Sequence, residues 1–135
     1  FLISKFLLMK NLAHLKLFII SIIFSFSCHA DWVKFGKSDK GNTFYVDLER
    51  IKKHEGYIYW WQLIDKEHGS SSVKFYIQAD CKKFRVKILS VYNYREPMGR
   101  GGVVSIKPPK EWSYPPFNTP GEESLIAVCG YTKKQ

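Results

Sequence analysis

Histidine and cysteine are the side chains of this 135-residue chain that could carry catalysis or bind a metal. His54 and His68 lie in the polar stretches KKHEG and KEHGS, and each is adjacent to one glutamate. A zinc site needs at least three ligands at supportive spacing, and a metalloprotease helix needs two histidines four residues apart. Neither pattern occurs around these histidines, so the sequence predicts no enzyme, no metal site and no cofactor.

The GRGG stretch at residues 99–102 is a second pattern that could bind a ligand. A dinucleotide-binding fingerprint needs a third glycine at a fixed spacing and a helix directly after it. Both are missing here, and one such unit does not make an RGG nucleic-acid tract. We therefore expect a loop between strands, in which glycine provides positive φ angles.

Basic side chains along two predicted strands form the strongest candidate for a binding surface. Alternation within residues 70–80 and 83–94 places most of them on the outward side of a hairpin, with one tyrosine among them. The set is Lys74, Tyr76, Lys82, Lys83, Arg85 and Lys87. Cations close together on a rigid sheet could hold an acidic or sulfated partner. The alternative is a solvated strand face that only keeps the protein soluble.

The N-terminal segment has the layout of a secretory signal peptide. Its first thirty residues hold three lysines and no acidic residue, and the apolar run Leu17–Phe26 is about ten residues long. A spanning helix would need about 20 apolar residues, whereas a short apolar core behind a basic start is typical of an export signal. The alternative is a membrane anchor that is never cleaved. Because the layout is complete from Met9, we expect residues 1–8 to be upstream translation.

Cys28 lies near the predicted end of this segment and has three alternative fates. It fits the small-residue site of the standard peptidase together with Ala30, so cleavage after Ala30 would discard it. It could instead carry a lipid, although the residues before it fit a lipoprotein signal poorly, or join a disulfide. We predict cleavage after Ala30 and a single domain over residues 31–135, attached to a membrane only if Cys28 is lipidated. Cys81 and Cys129 then remain in an oxidising compartment and can pair.

The predicted exported part is strongly basic. Eighteen of the 21 Lys and Arg residues and all twelve acidic residues follow Ala30, so its formal net charge is +6. A basic surface suits glycosaminoglycans, acidic proteins, phospholipid head groups or nucleic acid. Because export makes nucleic acid the poorest match, we predict a periplasmic or cell-surface protein without a nucleic-acid partner.

Residues after 31 are typical of strands separated by turns. WVKFGKS and NTFYVD flank a turn at residues 39–41, and YIYWWQLID at 57–65 is apolar on both faces. Such a segment predicts a central strand that is covered on both sides. The runs 70–80 and 83–94 then predict an antiparallel hairpin with Cys81 at its tight end and Phe84 facing inward.

The last part of the chain predicts an ordered proline-rich loop over the sheet and then one helix. Thr119 fits the N-cap, Pro120 the first helical position, and Glu122 the third position of a capping box. Gly130 predicts the end of the helix. Apolar positions between them recur at i, i+3 and i+4, and they are Leu125, Val128 and Cys129.

Several of these features occur in the order found in one protein family. They are Trp32, YVD at 45–47 followed by Ile51 and Lys52, YWWQLID, the serine-led strand ending in DC at 80 and 81, the GRG loop, Trp112, and PGEES before Cys129. In order and spacing, nearly the whole predicted mature chain resembles the surface-adhesin protein E family.

The resemblance implies an α+β fold, with about six antiparallel strands and a C-terminal helix tethered to them by a disulfide between Cys81 and Cys129. It also implies a non-catalytic binding module, since the family's named member is a dimeric outer-membrane adhesin that binds vitronectin, laminin and plasminogen. We predict an exported adhesin-like protein that binds a host matrix or serum protein or another acidic macromolecule, with a homodimer as an option. The alternative is a periplasmic structural, chaperone-like or inhibitor protein of the cell envelope.

Overall fold

A computed structural model describes residues 2–23 and 30–134 of the chain. The first part forms a helix, α1 (Leu2–Ile23). Among the helices in these two ranges, neither is long and apolar enough to cross a membrane. Cys28, which we predict is removed with the signal peptide, lies outside the described residues.

Residues 30–134 form an antiparallel sheet with a helix on one face. The strands are β1 (Trp32–Lys37), β2 (Thr43–Asp47), β3 (Lys52–His54), β4 (Tyr57–Asp65), β5 (Ser72–Asp80), β6 (Arg85–Glu96) and β7 (Arg100–Ile106). Six strands lie in the order β1-β2-β4-β5-β6-β7, and the short β3 pairs with β4. The predicted α+β fold with about six antiparallel strands is confirmed.

β4 is the central strand, as the sequence predicts. It pairs with β2 and β3 along one edge and with β5 along the other. Ile58 and Trp60 point toward the helix and are buried, whereas Tyr59 and Trp61 on the opposite face are half-buried among neighbouring side chains. The strand is therefore fully covered on one face and partly covered on the other.

Helix α2 (Pro120–Lys133) packs its apolar stripe on the sheet. Leu125, Val128 and Cys129 are buried in one cluster with Trp60 and Ala79. Burial of a Val- or Leu-sized side chain stabilises a protein by about 1.5–3 kcal/mol. The predicted stripe is therefore confirmed, and it fixes the helix on one face of the sheet.

The start of α2 agrees with the predicted cap in most details. Thr119 Oγ1 accepts a hydrogen bond from the Glu122 N–H at 3.3 Å, and Pro120 occupies the first turn. The Glu122 carboxylate accepts from the Asn118 N–H at 2.7 Å. The return bond of the capping box therefore reaches the residue before the N-cap.

The end of α2 differs from the prediction. Gly130 does not end the helix, which continues to Lys133. Thr132 is buried, and its backbone carbonyl accepts a hydrogen bond from the Lys53 ammonium of β3. These contacts hold one more turn against the sheet, and they outweigh the low helix propensity of glycine.

The disulfide joins the turn after β5 to the helix. The Cys81 and Cys129 Sγ atoms are bonded, with Cα atoms 5.9 Å apart, so the pairing implied by the resemblance is confirmed. The turn extends from Cys81 to Phe84 and is longer than predicted, because β6 begins only at Arg85. Phe84 has a positive φ of 52° and is 36% exposed, so its predicted inward orientation is wrong.

The GRGG stretch is only partly a loop. Gly99 and Gly101 have φ angles of 68° and 77°, which confirms the expected need for glycine. The turn itself is Pro97–Gly99, and β7 begins at Arg100. Residues 100–102 therefore belong to a strand and not to the loop.

The proline-rich segment runs along the edge of β6 beyond the reach of β7. Ser113 and Val86 exchange two backbone hydrogen bonds, of 2.8 and 2.9 Å. Trp112 is half-buried, whereas Tyr114 and Phe117 are exposed. The segment is therefore hydrogen-bonded to the sheet edge at its middle, and its two other aromatic rings point into solvent.

Candidate functional site

The sheet face opposite α2, called the outer face below, carries most of the predicted binding residues. Residues directly opposite one another in an antiparallel pair point to the same face. The register places Trp61 opposite Tyr76, and Lys74 opposite Tyr92. Strand alternation brings Lys87 and Arg85 to the same face, since they pair with Gln78 and Asp80. The outer face therefore carries both basic side chains and aromatic rings.

Lys74 lies at the centre of the first cluster. Its Nζ is 4.6 Å from the ring centroid of Trp61 and 5.7 Å from that of Trp32. Burial lowers the pKa of Lys74, and the nearby Arg50 guanidinium lowers it further, while the Asp47 carboxylate opposes this shift. Asp47 is fully buried and paired with Arg50. Lys74 is thus a positioned cation, held by rings and surrounded by fixed charges.

Aromatic rings extend from this cluster along the outer face. The Tyr76 ring centroid is 4.7 Å from that of Trp61 and 6.1 Å from that of Tyr59. Tyr92 continues the row, 6.2 Å from Trp61. Gln78 Nε2 donates a hydrogen bond of 3.0 Å to the Tyr59 hydroxyl. These contacts hold the rings as one continuous surface, because each ring touches the next.

Trp112 organises a second cluster of cations. Arg85 Cζ is 4.5 Å and Lys87 Nζ 4.6 Å from its ring centroid. The ring also lies 5.6 Å from that of Tyr57. Each cation–π contact of this kind stabilises by about 0.5–1 kcal/mol at an exposed site. The proline-rich segment therefore places one aromatic ring over the two basic residues of β6.

Asp80 anchors the hairpin end next to this cluster. Its carboxylate accepts hydrogen bonds from the Lys83 N–H at 3.1 Å and from Arg85 Nε at 3.3 Å. Desolvation acts to raise the pKa of Asp80, but these two hydrogen bonds and the two positive charges hold it below its ordinary value. The carboxylate therefore fixes the orientation of Arg85.

A groove of about 560 Å³ lies beside the aromatic row. It is lined by Tyr59 and Tyr76 and by Lys52, Lys53 and His54 of β3. Lys52 adds positive charge to the basic side chains that strand alternation predicts on β5 and β6, whereas the Lys53 ammonium is bonded to the Thr132 carbonyl of α2. Anionic groups bound on the outer face would therefore meet positive charge from three strands.

Residues 32–130 match the sequence model of the surface-adhesin protein E family. The chain belongs to this family. Family membership supports a surface adhesin, and a surface adhesin is an exported or cell-surface protein. It favours a non-enzymatic protein over an enzyme. Comparison with curated protein sequences gives no match.

Solved structures of Haemophilus influenzae protein E have a similar fold. One is 15% identical with a TM-score of 0.64, and the match covers 81% of this chain and 91% of that one. A second crystal form gives 15% identity and a TM-score of 0.63, over 77% of this chain and 91% of that one. Protein E from a non-typeable strain gives 15% and 0.59, over 80% and 82%. At such low identity the likeness concerns the fold.

The structure of this adhesin E family member brings the predicted site residues together in two groups. Lys74 and Tyr76 meet around Trp61, and Arg85 and Lys87 meet around Trp112. Lys82 and Lys83 lie apart in the exposed turn after β5. His54 borders the groove, whereas His68 lies in an exposed turn 3.2 Å from Glu67. Among the described residues, no His, Cys, Asp and Glu side chains cluster in a way that could hold a metal.

Sequence reasoning missed the aromatic residues of the site for two different reasons. Trp61 could have been found, because alternation in β4 puts it on the face opposite Trp60. Tyr92 could not, since β6 carries a bulge at Leu89, which lies between the residues paired with Tyr76 and Ile77. A bulge inserts one residue and reverses the faces of all residues beyond it.

Proposed function

We propose that this adhesin E family member binds an acidic or sulfated host macromolecule through its outer face, without catalysis. The observation that carries the proposal is the fixing of Lys74 over Trp61, and of Arg85 and Lys87 over Trp112. Cations that are already ordered lose little side-chain entropy on binding, which favours affinity. On a strand face that served only solubility, we would expect basic side chains without such contacts to aromatic rings.

The size of the outer face indicates an extended partner. Lys74 and the end of β5 at Asp80 are six residues apart, which is about 20 Å along a strand. Rings alternate with cations over this length, so flat apolar groups of a partner could stack between its anionic groups. In a sulfated polysaccharide, sugar rings alternate with negatively charged groups. In an acidic segment of a matrix or serum protein, apolar side chains alternate with carboxylates.

Heparin chromatography tests the proposal. The variant Lys74→Ala, Arg85→Ala, Lys87→Ala should elute at lower salt than the wild type, because ordered cations are lost from the binding face. Its control is the variant Lys40→Ala, Lys110→Ala, Lys133→Ala, which removes the same charge at exposed positions elsewhere.

The two variants separate a site from general charge. Circular dichroism first confirms that both are folded. A lower elution salt for the first variant alone supports the outer face as the binding site. Equal elution of the two variants would show that only net charge matters, and it would contradict the proposal.

We propose in addition that the protein is displayed on the outer cell surface. Protease treatment of intact cells should then degrade it, and a cytoplasmic marker protein should stay intact. Full protection on intact cells, with cleavage after the outer membrane is opened, would favour the alternative of a periplasmic structural, chaperone-like or inhibitor protein.

The N-terminal processing remains our prediction, with a start at Met9 and cleavage after Ala30. Intact-mass measurement of the exported protein should give a chain that begins at Asp31 and carries no lipid. A mass that includes Cys28 and an acyl group would contradict this and would explain attachment to a membrane. The mass measured without reductant should be lower than the mass measured with reductant by two hydrogen atoms, which the two cysteines lose when the disulfide forms.

We propose that two copies associate through β7. Val103, Val104 and Ile106 of this strand are 53%, 61% and 44% exposed, and β7 pairs only with β6 among the described strands. An exposed apolar edge strand is prone to pair with another chain. Light scattering should give the mass of a dimer for the wild type and of a monomer for Val104→Lys. A monomeric wild type at about 100 µM would contradict this assembly.

A further inference from the structure

Two cations of the outer face share one aromatic ring. The charged ends of Arg85 and Lys87 are 4.5 and 4.6 Å from the ring centroid of Trp112. The backbone hydrogen bonds between Ser113 and Val86 hold the adjacent Trp112 in this position. Because Arg85 and Lys87 are two residues apart on β6, their Cα atoms are about 7 Å apart and their side chains lie on the same face. Two positive charges are therefore fixed next to each other.

The contacts of Arg85 leave part of its guanidinium group free. Its Nε donates a hydrogen bond of 3.3 Å to the Asp80 carboxylate. In the part of the chain that the structure describes, the two terminal nitrogens of Arg85 have no acceptor, and Lys87 Nζ has no hydrogen-bond or ion-pair partner. The Arg85 side chain is 20% exposed, so part of it is open to a molecule in solution. Arg85 and Lys87 together therefore offer free N–H donors from three nitrogen atoms.

The carboxylates near Arg85 and Lys87 do not neutralise both cations. Asp80 accepts hydrogen bonds from the backbone of Lys83 and from the side chain of Arg85, so one negative charge lies between two positively charged residues. Glu111 is exposed and forms no ion pair with either cation of the described site. Lys87 adds a further positive charge without a counter-charge. The site therefore keeps an excess of positive charge for an external anion.

We propose that Arg85 and Lys87 bind the sulfate group of a sulfated polysaccharide, and that Trp112 is the residue that positions both cations. This inference rests on the function proposed above for the outer face, and it names the chemical group that is recognised. The terminal oxygens of a sulfate ester can accept from both free nitrogens of Arg85 and from Lys87 at once. A carboxylate has only two oxygens, which one arginine already satisfies in the bidentate geometry, and it would leave Lys87 without a partner.

Charge favours a sulfate ester over a phosphate group with the same oxygen geometry. A phosphate monoester carries about 1.5 to 2 negative charges at pH 7, whereas a sulfate ester carries one. The cost of removing water from an ion increases with the square of its charge, but its attraction to the two cations increases only in proportion. Next to the half-buried Trp112 ring, the group with the smaller charge is therefore the better match.

Calorimetric titration with a heparin hexasaccharide at fixed salt tests the site. Arg85→Lys keeps the charge but replaces the planar guanidinium group by a single ammonium group. The loss of one charge-assisted hydrogen bond should weaken binding about three- to tenfold. The control Arg100→Lys makes the same replacement at an exposed position of β7 and should leave the affinity unchanged. Trp112→Leu keeps both cations and should also weaken binding, because the ring no longer orders them.

Two further ligands identify the group that is bound. Desulfated, N-acetylated heparin hexasaccharide keeps its carboxylates, and it should bind weakly and with equal affinity to the wild type and to Arg85→Lys. Inositol hexakisphosphate presents phosphate groups instead of sulfates. We expect Arg85→Lys to change its affinity for this ligand less than its affinity for heparin. Lys87→Gln leaves the contact between Arg85 and Asp80 in place, and it should reduce the preference for the sulfated hexasaccharide as well.

The results separate this inference from the proposed function. Circular dichroism first confirms that the variants are folded. A loss of heparin affinity in Arg85→Lys but not in Arg100→Lys, absent with the desulfated form, supports the sulfate site. Equal affinities of these two variants for heparin overturn it, and so does a loss that is larger with inositol hexakisphosphate. In both cases the proposed function still stands if the triple variant Lys74→Ala, Arg85→Ala, Lys87→Ala elutes from heparin at lower salt than its control.

Discussion

Loss of the Cys81–Cys129 disulfide should remove a large part of the stability of the domain. The two cysteines are 48 residues apart in sequence. The chain-entropy relation for a closed loop of this length gives about 4 kcal/mol at 25 °C. Domains of this size have a free energy of unfolding of about 5–15 kcal/mol. The double variant Cys81→Ala, Cys129→Ala should therefore lose about a quarter of its stability or more.

The position of the bond predicts which part of the domain opens first. Cys129 lies on the buried stripe of α2, which is otherwise held by Leu125 and Val128. Without the disulfide, the second half of the helix depends on few apolar contacts and on Thr132. We expect amide protons of α2 to exchange faster in the double variant, with smaller changes in β4 and β5.

Urea unfolding is the appropriate assay. Tryptophan fluorescence reports on the sheet, because Trp32, Trp60 and Trp61 lie on its strands, and far-ultraviolet circular dichroism reports on the helix. The wild type treated with reductant is the matched control, because it lacks the bond but keeps both side chains. It should agree with the double variant within about 1 kcal/mol, the usual cost of a small core substitution.

Two results would refute this reasoning. One is a loss of less than about 1 kcal/mol in both the double variant and the reduced wild type, since the predicted loop entropy is several times larger. The other is faster exchange in β4 than in α2, which would show that the bond stabilises the sheet and not the helix.

Three smaller perturbations follow from local contacts. Thr119→Ala removes the N-cap of α2 and should cost about 1 kcal/mol in urea unfolding. Gly130→Ala should stabilise by about 0.5–1 kcal/mol, because this helical position has open space for a methyl group; a loss of stability would contradict the assigned helix. The pKa of Asp80 is lowered in the folded state, so its contribution is present above the ordinary carboxyl value of 3.8 and is lost as the pH falls through the folded value. Asp80→Asn should therefore reduce the melting temperature at pH 7 more than at pH 2; equal losses at the two pH values would exclude an ionic role for Asp80.

Local patterns in the sequence predict much of the fold. The stripe of Leu125, Val128 and Cys129 indicates which face of α2 is buried, and the apolar run of β4 indicates the central strand. These predictions succeed because each depends on residues within one or two turns or along one strand. The end of α2 could not be predicted, since contacts of Thr132 with β3, distant in sequence, extend the helix beyond Gly130.

The candidate site is harder to predict than the fold. Alternation in β5 correctly places Lys74 and Tyr76 on one face, but the bulge in β6 moves Tyr92 to that face against the simple pattern. The position of Trp112 depends on the backbone bonds between Ser113 and Val86, which are 27 residues apart. Such a contact leaves no periodic trace in the sequence.

The one-sided placement of α2 has a consequence for how this protein could diversify. Most of the buried apolar residues, such as Trp60 and Val128, point to the helix side of the sheet. Substitutions on the opposite side therefore change charge and ring pattern while leaving that packing intact. A lineage could exchange Lys74 or Tyr76, and with them its binding partner, without first acquiring compensating mutations in the core. Packing against α2 therefore limits substitutions on one side of the sheet, whereas the outer face tolerates changes of charge and of aromatic residues.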